Sequence, residues 1–175
     1  QLTGQQVANE KNTSEGVPNY DNSSSNTSSN NNSNTQPTPQ PNPDPTPQPE
    51  SQIYNGPWST QPKYGIGFSD GECTRGVSIL KDGRVPLNWG DARFWTANAQ
   101  KSGIPTGIKP AVGAIVCWQP GENMGGFMAG PYGHVAVVTS ANADGSYNIK
   151  EMNGIAGWNN FGDRSASGGT FIYIR

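Results

Sequence analysis

The stretch "HVAVVTSANADGSYNIKEMN", residues 134–153, carries the clearest signal of secondary structure in this chain. Its valine-rich first part, 134–141, is a predicted buried strand, and 146–153 is a predicted second strand. The Asp144-Gly145 pair between them is typical of a hairpin turn. The stretch therefore predicts two neighbouring antiparallel strands.

The single histidine of the chain lies at the open end of this hairpin. His134 begins the first strand, and Glu151 and Asn153 end the second, on one face because side chains alternate along a strand. Nine residues separate His134 from the turn, but only five or six separate Glu151 from it, so the pair meets if a bulge or twist absorbs the offset. A carboxylate or amide beside an imidazole fixes its orientation and leaves the second ring nitrogen for a nucleophile. A structural histidine beside a polar strand end is the alternative.

A candidate nucleophile lies in "FSDGECTRGVSILKDG", residues 68–83, which is a predicted helix. Ser69 or Asp70 can cap this helix, which places Cys73 in its first turn. There the thiol faces unpaired N–H groups and the positive end of the helix dipole, which stabilise a thiolate. The alternative is a buried apolar thiol, or one half of a disulfide with Cys117.

The other predicted elements place helices before strands. Residues 90–103 form a predicted helix, and the apolar runs 113–118 and 169–175 are further predicted strands. Two helices followed by a meander of strands predict an α+β fold with an antiparallel sheet.

Residues 1–56 differ in composition from the rest of the chain. They are rich in Asn, Ser and Thr, and every odd position from Pro37 to Pro49 is proline. Such sequence buries too little apolar surface to offset chain entropy, and X-Pro repeats favour extended polyproline II. We therefore expect a disordered tail and linker over 1–56 and one folded domain over 57–175.

Charge and hydropathy restrict the partners. The net charge is −2, no basic cluster suggests nucleic acid, and no long apolar run suggests a membrane span. Low-charge Asn/Ser/Thr/Pro tethers are common outside cells, and the sequence begins at Gln1 without an apolar signal core. We expect a monomeric, processed or excised part of a secreted bacterial protein.

Five blocks of the folded part resemble the CHAP domain, the cysteine- and histidine-dependent amidohydrolase/peptidase module. In order, between about Tyr64 and Arg175, they are "GECT", "WGDARFWTANAQKSG", "PAVGAIVCW", "GHVAVVTSANADGSYNIKEMN" and "FIYIR". The resemblance implies a papain-like α+β fold and a secreted, bacteriolytic enzyme of the cell wall. It further implies cleavage of amide bonds in bacterial peptidoglycan, as a muramoyl-alanine amidase or an endopeptidase.

The same resemblance implies the roles of four residues. Cys73 is the expected nucleophile and His134 the general base and acid. Glu151 is expected to orient the imidazole, and Asn153 to act as an auxiliary polar group. The expected substrate contacts are the aromatic residues Trp118, Tyr132 and Trp158.

The sequence departs from the family pattern beside the cysteine. Glu72 replaces a frequent Gln whose amide can bind an oxyanion, and a carboxylate opposes both thiolate and oxyanion. Arg75-Gly76 replaces an aromatic pair that often follows. The segment before Cys73 lacks the spaced oxygen ligands of a calcium loop, so neither metal nor cofactor is expected.

Two further features leave alternatives open. The glycine-rich loop 119–133 is either a mobile cover over the cleft or an ordinary surface loop. Instead of an enzyme, the domain can be a wall-binding module without turnover, which Glu72 favours. It can also be an extracellular interaction domain stabilised by a Cys73–Cys117 disulfide.

Overall fold

A computed structural model of the chain describes residues 50–175. Most of the predicted tail, 1–49, lies outside these residues, and its disorder stays a prediction. The last part of that tail packs on the domain. The backbone N–H of Tyr54 donates to the Pro110 carbonyl at 2.9 Å, and its ring stacks on Tyr173 with 3.4 Å between ring centroids. The packed part therefore begins ahead of the expected boundary at 56/57.

The described residues form an α+β fold with an antiparallel sheet, as the sequence predicts. Two α-helices, α1 (Cys73–Leu80) and α2 (Trp95–Lys101), precede all six strands of the sheet. Short 3-10 turns span Leu87–Trp89 and Ala92–Phe94. The six strands are β1 (Thr106–Gly107), β2 (Ile115–Trp118), β3 (His134–Ala141), β4 (Tyr147–Met152), β5 (Phe161–Ala166) and β6 (Thr170–Ile172).

The strand order, β1-β6-β2-β3-β4-β5, corrects the expectation of a simple meander. Only β2 to β5 follow one another, and the C-terminal strand β6 returns to pair with β2 and β1. Because Phe171 and Ile172 are almost fully buried, β6 takes an interior position. The sequence prediction omits β5, whose residues Phe161–Ala166 lack a buried apolar face and form one edge of the sheet.

Helix α1 begins at Cys73, later than expected. Glu72 is its N-cap residue and makes no side-chain capping bond, so neither Ser69 nor Asp70 caps the helix. Instead, the residues before Cys73 form a turn in which the Glu72 N–H donates to the Ser69 carbonyl at 3.3 Å. Cys73 is therefore the first helical residue, with its own N–H outside the helical ladder.

Gly76 allows α1 to approach the hairpin closely. A Cβ at this position would lie 2.4 Å from the Cβ of Met152 at the end of β4. A glycine inside a helix costs about 1 kcal/mol relative to alanine, and here it permits close packing. This packing brings the start of α1 to the strand ends that carry the predicted site.

The apolar side chains form two clusters. One cluster includes α1 and α2 residues such as Val77 and Trp95, together with Ile115 and Val135 of the sheet. The other includes Trp118, Phe171 and Tyr173, with Tyr54 packed against it. None of the helices within residues 50–175 combines the length and the hydropathy of a membrane span.

Candidate active site

A cleft of about 530 Å³ opens at the start of α1. Its walls come from four parts of the chain: the turn into α1, the segment before α2, the end of loop 119–133 with the start of β3, and the residue after β4. The lining residues are Phe68, Ser69, Glu72, Cys73, Thr74, Gly90, Asp91, Ala92, Gly130, Pro131, Tyr132, Gly133, His134 and Asn153.

Cys73 and His134 meet at the floor of this cleft. Both side chains line it although the residues are only 8 % and 7 % exposed. Burial alone would lower the pKa of His134, but hydrogen bonds with Cys73 and Glu151 outweigh burial and raise it to about 9. The imidazole is thus protonated at neutral pH, and a cation beside a thiol favours the thiolate.

Glu151 holds the other side of the imidazole. Its Oε2 lies 2.9 Å from His134 Nε2, which leaves Nδ1 as the ring nitrogen available to the thiol. The backbone N–H of Ile155 donates to Oε1 at 3.0 Å. Burial would raise the pKa of Glu151, but hydrogen bonds from His134, Arg164 and Ile155 lower it to about 2. The carboxylate is therefore ionised throughout the neutral range.

The register of the hairpin explains how His134 and Glu151 meet. Val137 pairs with Lys150, so Glu151 falls opposite Ala136, diagonal to His134. The pairing shifts between Val138 and Ser140, which is the irregularity that unequal spacing to the turn requires.

Asn153 lies just beyond the end of β4 and not on the strand face of Glu151, where it is predicted. Strand β4 ends at Met152, and Asn153 has the left-handed φ of 56°, so the strand alternation stops before it. Its side-chain amide donates to Oε2 of Glu72 at 3.0 Å. The prediction that Asn153 shares a strand face with Glu151 is therefore wrong, although Asn153 does line the cleft.

Gly154 makes room for the buried carboxylate. A Cβ at Gly154 would lie 2.2 Å from Cδ and from Oε1 of Glu151. A glycine here lets the chain turn over the carboxylate, so that the N–H of Ile155 reaches it. In the sequence, the only signal for this is a glycine directly after a predicted strand.

Arg164 is the functional candidate that sequence reasoning missed. Its Nε and Nη2 donate to Oε1 and Oε2 of Glu151 at 2.7 and 2.9 Å, and its side chain is only 7 % exposed. The residue lies on β5, where Arg164 pairs with Ile149 of β4. The one sequence signal is an arginine within a short polar run just ahead of the last strand.

The three predicted substrate contacts have different positions. Tyr132 lines the cleft and is well exposed. Trp158 is exposed and packs against Gly71 in the turn before α1, outside the cleft lining. Trp118 is fully buried, with its indole N–H on the Ser167 carbonyl at 2.8 Å, and it packs near the His134 ring. Trp118 therefore has no surface for a substrate, which corrects that expectation.

The disulfide alternative fails. Cys73 and Cys117, the two cysteines of the chain, are both free. Burial raises the pKa of Cys117 to about 12, so this thiol stays neutral.

Across residues 50–175, no group of three or more His, Cys, Asp or Glu side chains is arranged to hold a metal ion. The side chains of the site supply a thiol, an imidazole and a buried carboxylate, which are the groups of nucleophilic catalysis.

Comparison with protein families gives a match to the CHAP domain over residues 63–153. "Probable autolysin SsaALP" of Staphylococcus aureus is 40% identical over 89 residues, which cover 49% of this chain and 30% of that protein. "Putative hydrolase" of Streptococcus mutans is 36% identical over 83 residues, or 47% and 35%. "Staphylococcal secretory antigen SsaA" of Staphylococcus epidermidis is 35% identical over 86 residues, or 49% and 30%. The chain thus matches about a third of the length of these relatives.

The fold also has a solved neighbour. The crystal structure of an N-acetylmuramoyl-L-alanine amidase from Staphylococcus aureus superimposes with a TM-score of 0.52 and 29% sequence identity. The match covers 60% of this chain and 31% of the neighbour. The family match includes Cys73, His134 and Glu151 but stops before Arg164.

Proposed function

The chain belongs to the CHAP domain family, and from that premise we propose that it is a peptidoglycan hydrolase that cleaves amide bonds through Cys73. The observation that carries the proposal is the contiguous set of Cys73, His134 and Glu151 at the floor of an open cleft. A thiol paired with an oriented imidazole is the arrangement that nucleophilic catalysis requires.

In the proposed first step, the Cys73 thiolate attacks the carbonyl carbon of an amide. The negative charge moves to the carbonyl oxygen, and the backbone N–H of Cys73, unpaired at the start of α1, can donate to it. As the C–N bond breaks, the His134 imidazolium protonates the leaving amine, and a thioester remains on Cys73.

In the second step, water hydrolyses this thioester. Neutral His134 removes a proton from the water as it attacks, the carboxylic acid product leaves, and the Cys73 thiolate with His134 imidazolium is restored. Glu151 remains ionised and keeps the imidazole oriented in both steps, in keeping with its lowered pKa.

The names of the relatives support a location outside the cell. An autolysin and a secretory antigen are among the matched proteins, and the solved neighbour is a muramoyl-alanine amidase. These names support the proposal of a secreted or cell-wall location, and we propose either amidase or endopeptidase specificity. The tail predicted over 1–56 would act, ahead of its contact with the domain at Tyr54, as a tether for a monomeric catalytic domain.

A binding module without turnover is the second candidate. Glu72, directly before Cys73, favours it, because its carboxylate lines the cleft and opposes negative charge on the thiol and on an oxyanion. The amide of Asn153 donates to one oxygen of this carboxylate and partly offsets its charge.

The deciding experiment incubates the full chain with purified peptidoglycan and identifies released fragments by mass spectrometry. A new amine on the alanine next to muramic acid indicates an amidase, and a new amine within the peptides indicates an endopeptidase. The variant Cys73→Ala should sediment with peptidoglycan and release nothing. Wild-type protein that sediments equally but releases no fragment would establish the binding module instead.

A further inference from the structure

A buried arginine is attached to the carboxylate of the site. Arg164 places Nε on Oε1 and Nη2 on Oε2 of Glu151, at 2.7 and 2.9 Å. Two parallel bonds from a planar guanidinium fix both oxygens of a carboxylate and hence its rotation. Glu151 therefore has one orientation in which Oε2 also meets Nε2 of His134.

The rest of the Arg164 guanidinium contacts a backbone carbonyl and two aromatic rings. Its Nη1 donates to the Met124 carbonyl in loop 119–133 at 2.6 Å. The guanidinium carbon lies 5.3 Å from the Phe127 ring centroid and 5.9 Å from that of Trp118. These are cation–π distances, so aromatic faces cover the guanidinium while its edge binds the carboxylate. A surface role would not require this degree of burial.

We propose that Arg164 is a positioning residue of the site, which acts through Glu151 to fix the His134 ring toward Cys73. The inference deepens the proposed function, and it rests on that function wherever peptidoglycan turnover is the measurement. Lysine cannot replace Arg164 fully, because an ammonium retains the charge but lacks the fork that fixes both oxygens.

The charge of Arg164 and its geometry have separable effects. The titratable groups around the Arg164–Glu151 pair are His134 on β3, Tyr147 on β4, Cys73 and Glu72 at the start of α1, and Glu122 in loop 119–133. Removing a positive charge disfavours every nearby deprotonated acid, so the acid limb of the activity profile should move to higher pH. Removing only the fork should leave this limb in place and lower the rate.

The first measurement is turnover of peptidoglycan against pH by full-length variants. Arg164→Gln should move the acid limb of kcat upward by about 0.5–1 pH unit, and it should lower kcat at least about tenfold. In Arg164→Lys, the acid limb of kcat should stay within about 0.2 pH unit of its wild-type position, but kcat itself should still fall several-fold. The matched control is Lys150→Gln, which removes an exposed ion pair with Asp163 between the same strands, 2.7 Å long, and should change neither value.

The second measurement does not depend on turnover. The rate at which iodoacetamide alkylates Cys73 is measured against pH. This pH profile should shift to higher pH by the same amount in Arg164→Gln and should not shift in Arg164→Lys. In a Glu151→Gln background, adding Arg164→Gln should have little further effect, because Arg164 acts through Glu151.

The outcomes separate the two proposals. A wild-type protein without turnover whose alkylation profile shifts in Arg164→Gln overturns the proposed hydrolase and supports the positioning role. Folded Arg164→Gln protein, shown by its circular dichroism spectrum, with wild-type kcat and an unshifted alkylation profile overturns the positioning role. If Arg164→Gln does not fold, Arg164→Lys decides: wild-type kcat in that variant overturns the role.

Discussion

The start of α1 and the middle of β2 each hold one of the two cysteines, and both thiols are buried in the same apolar cluster. Cys73 is 8 % exposed and Cys117 1 %, so burial alone hardly distinguishes them. The groups around each thiol do distinguish the two cysteines. Cys73 contacts an imidazole at the floor of a cleft and begins a helix, whereas Cys117 lies within a strand paired on both sides.

This difference shows that a cysteine acquires chemistry from what can stabilise its anion. At the start of α1, the free N–H groups and the protonated ring of His134 supply that stabilisation. In β2, the backbone groups are used in the sheet, and burial raises the pKa of Cys117 to about 12. The first region is therefore suited to a nucleophile and the second to packing.

The largest expected effect is the loss of peptidoglycan turnover when the Cys73 thiol is removed, with removal of the Cys117 thiol as the comparison. Cys73→Ala should lose peptidoglycan turnover by about a thousandfold or more, since the nucleophile is absent, yet keep its fold. Cys117→Ala should retain turnover within about twofold. Fragment release from peptidoglycan measures both, and comparable loss in the two variants would remove the distinction.

Alkylation of the native protein should separate the thiols by about a hundredfold in rate. Because the raised pKa of Cys117 keeps it protonated below about pH 12, its rate should stay low between pH 6 and pH 9. Cys73 should react first, with activity lost in proportion. Peptide mapping after iodoacetamide treatment gives the two rates, and in concentrated urea they should converge. Faster labelling of Cys117 in the native state would contradict the assignment of the nucleophile.

The two substitutions should rank in the opposite order for stability, with Cys117→Ala the more destabilising. Cys117→Ala removes a fully buried side chain and should lower the free energy of unfolding by about 1–2 kcal/mol. Cys73→Ala, at the edge of the cleft, should cost less. Urea denaturation followed by tryptophan fluorescence compares them, and a larger loss for Cys73→Ala would show that the first region is also a packing site.

The smallest expected effect on turnover tests how far the negative charge of Glu72 opposes the Cys73 thiolate at the start of α1. Glu72→Gln removes a negative charge beside Cys73 and keeps an oxygen that can accept from Asn153. Turnover should rise about two- to fivefold at acidic pH, with its acid limb at lower pH, because the thiolate is opposed less. The control Asp82→Asn changes an exposed carboxylate beyond the far end of α1, outside the cleft lining, and should leave the limb in place. Lower turnover in Glu72→Gln would mean that the carboxylate is itself required.

Much of the fold and half of the site follow from local patterns. The valine-rich run of β3 and the turn after it predict the hairpin, and this hairpin brings His134 and Glu151 to one end. The polar edge strand β5 has no such pattern, and its omission also hides Arg164. Asn153 departs from the predicted strand face because β4 ends at Met152, one residue before the predicted end of the strand.

The β3–β4 hairpin, the family and the identity of the thiol, imidazole and carboxylate follow from the sequence alone, because side-chain periodicity, turn residues and short motifs act over neighbouring residues. The groups that surround these three side chains depend on the tertiary structure. Arg164 reaches Glu151 from the neighbouring strand β5, Gly154 leaves space for that carboxylate, and Trp118 is buried. Such contacts depend on register and on the space left between packed elements, which no local pattern of residues specifies.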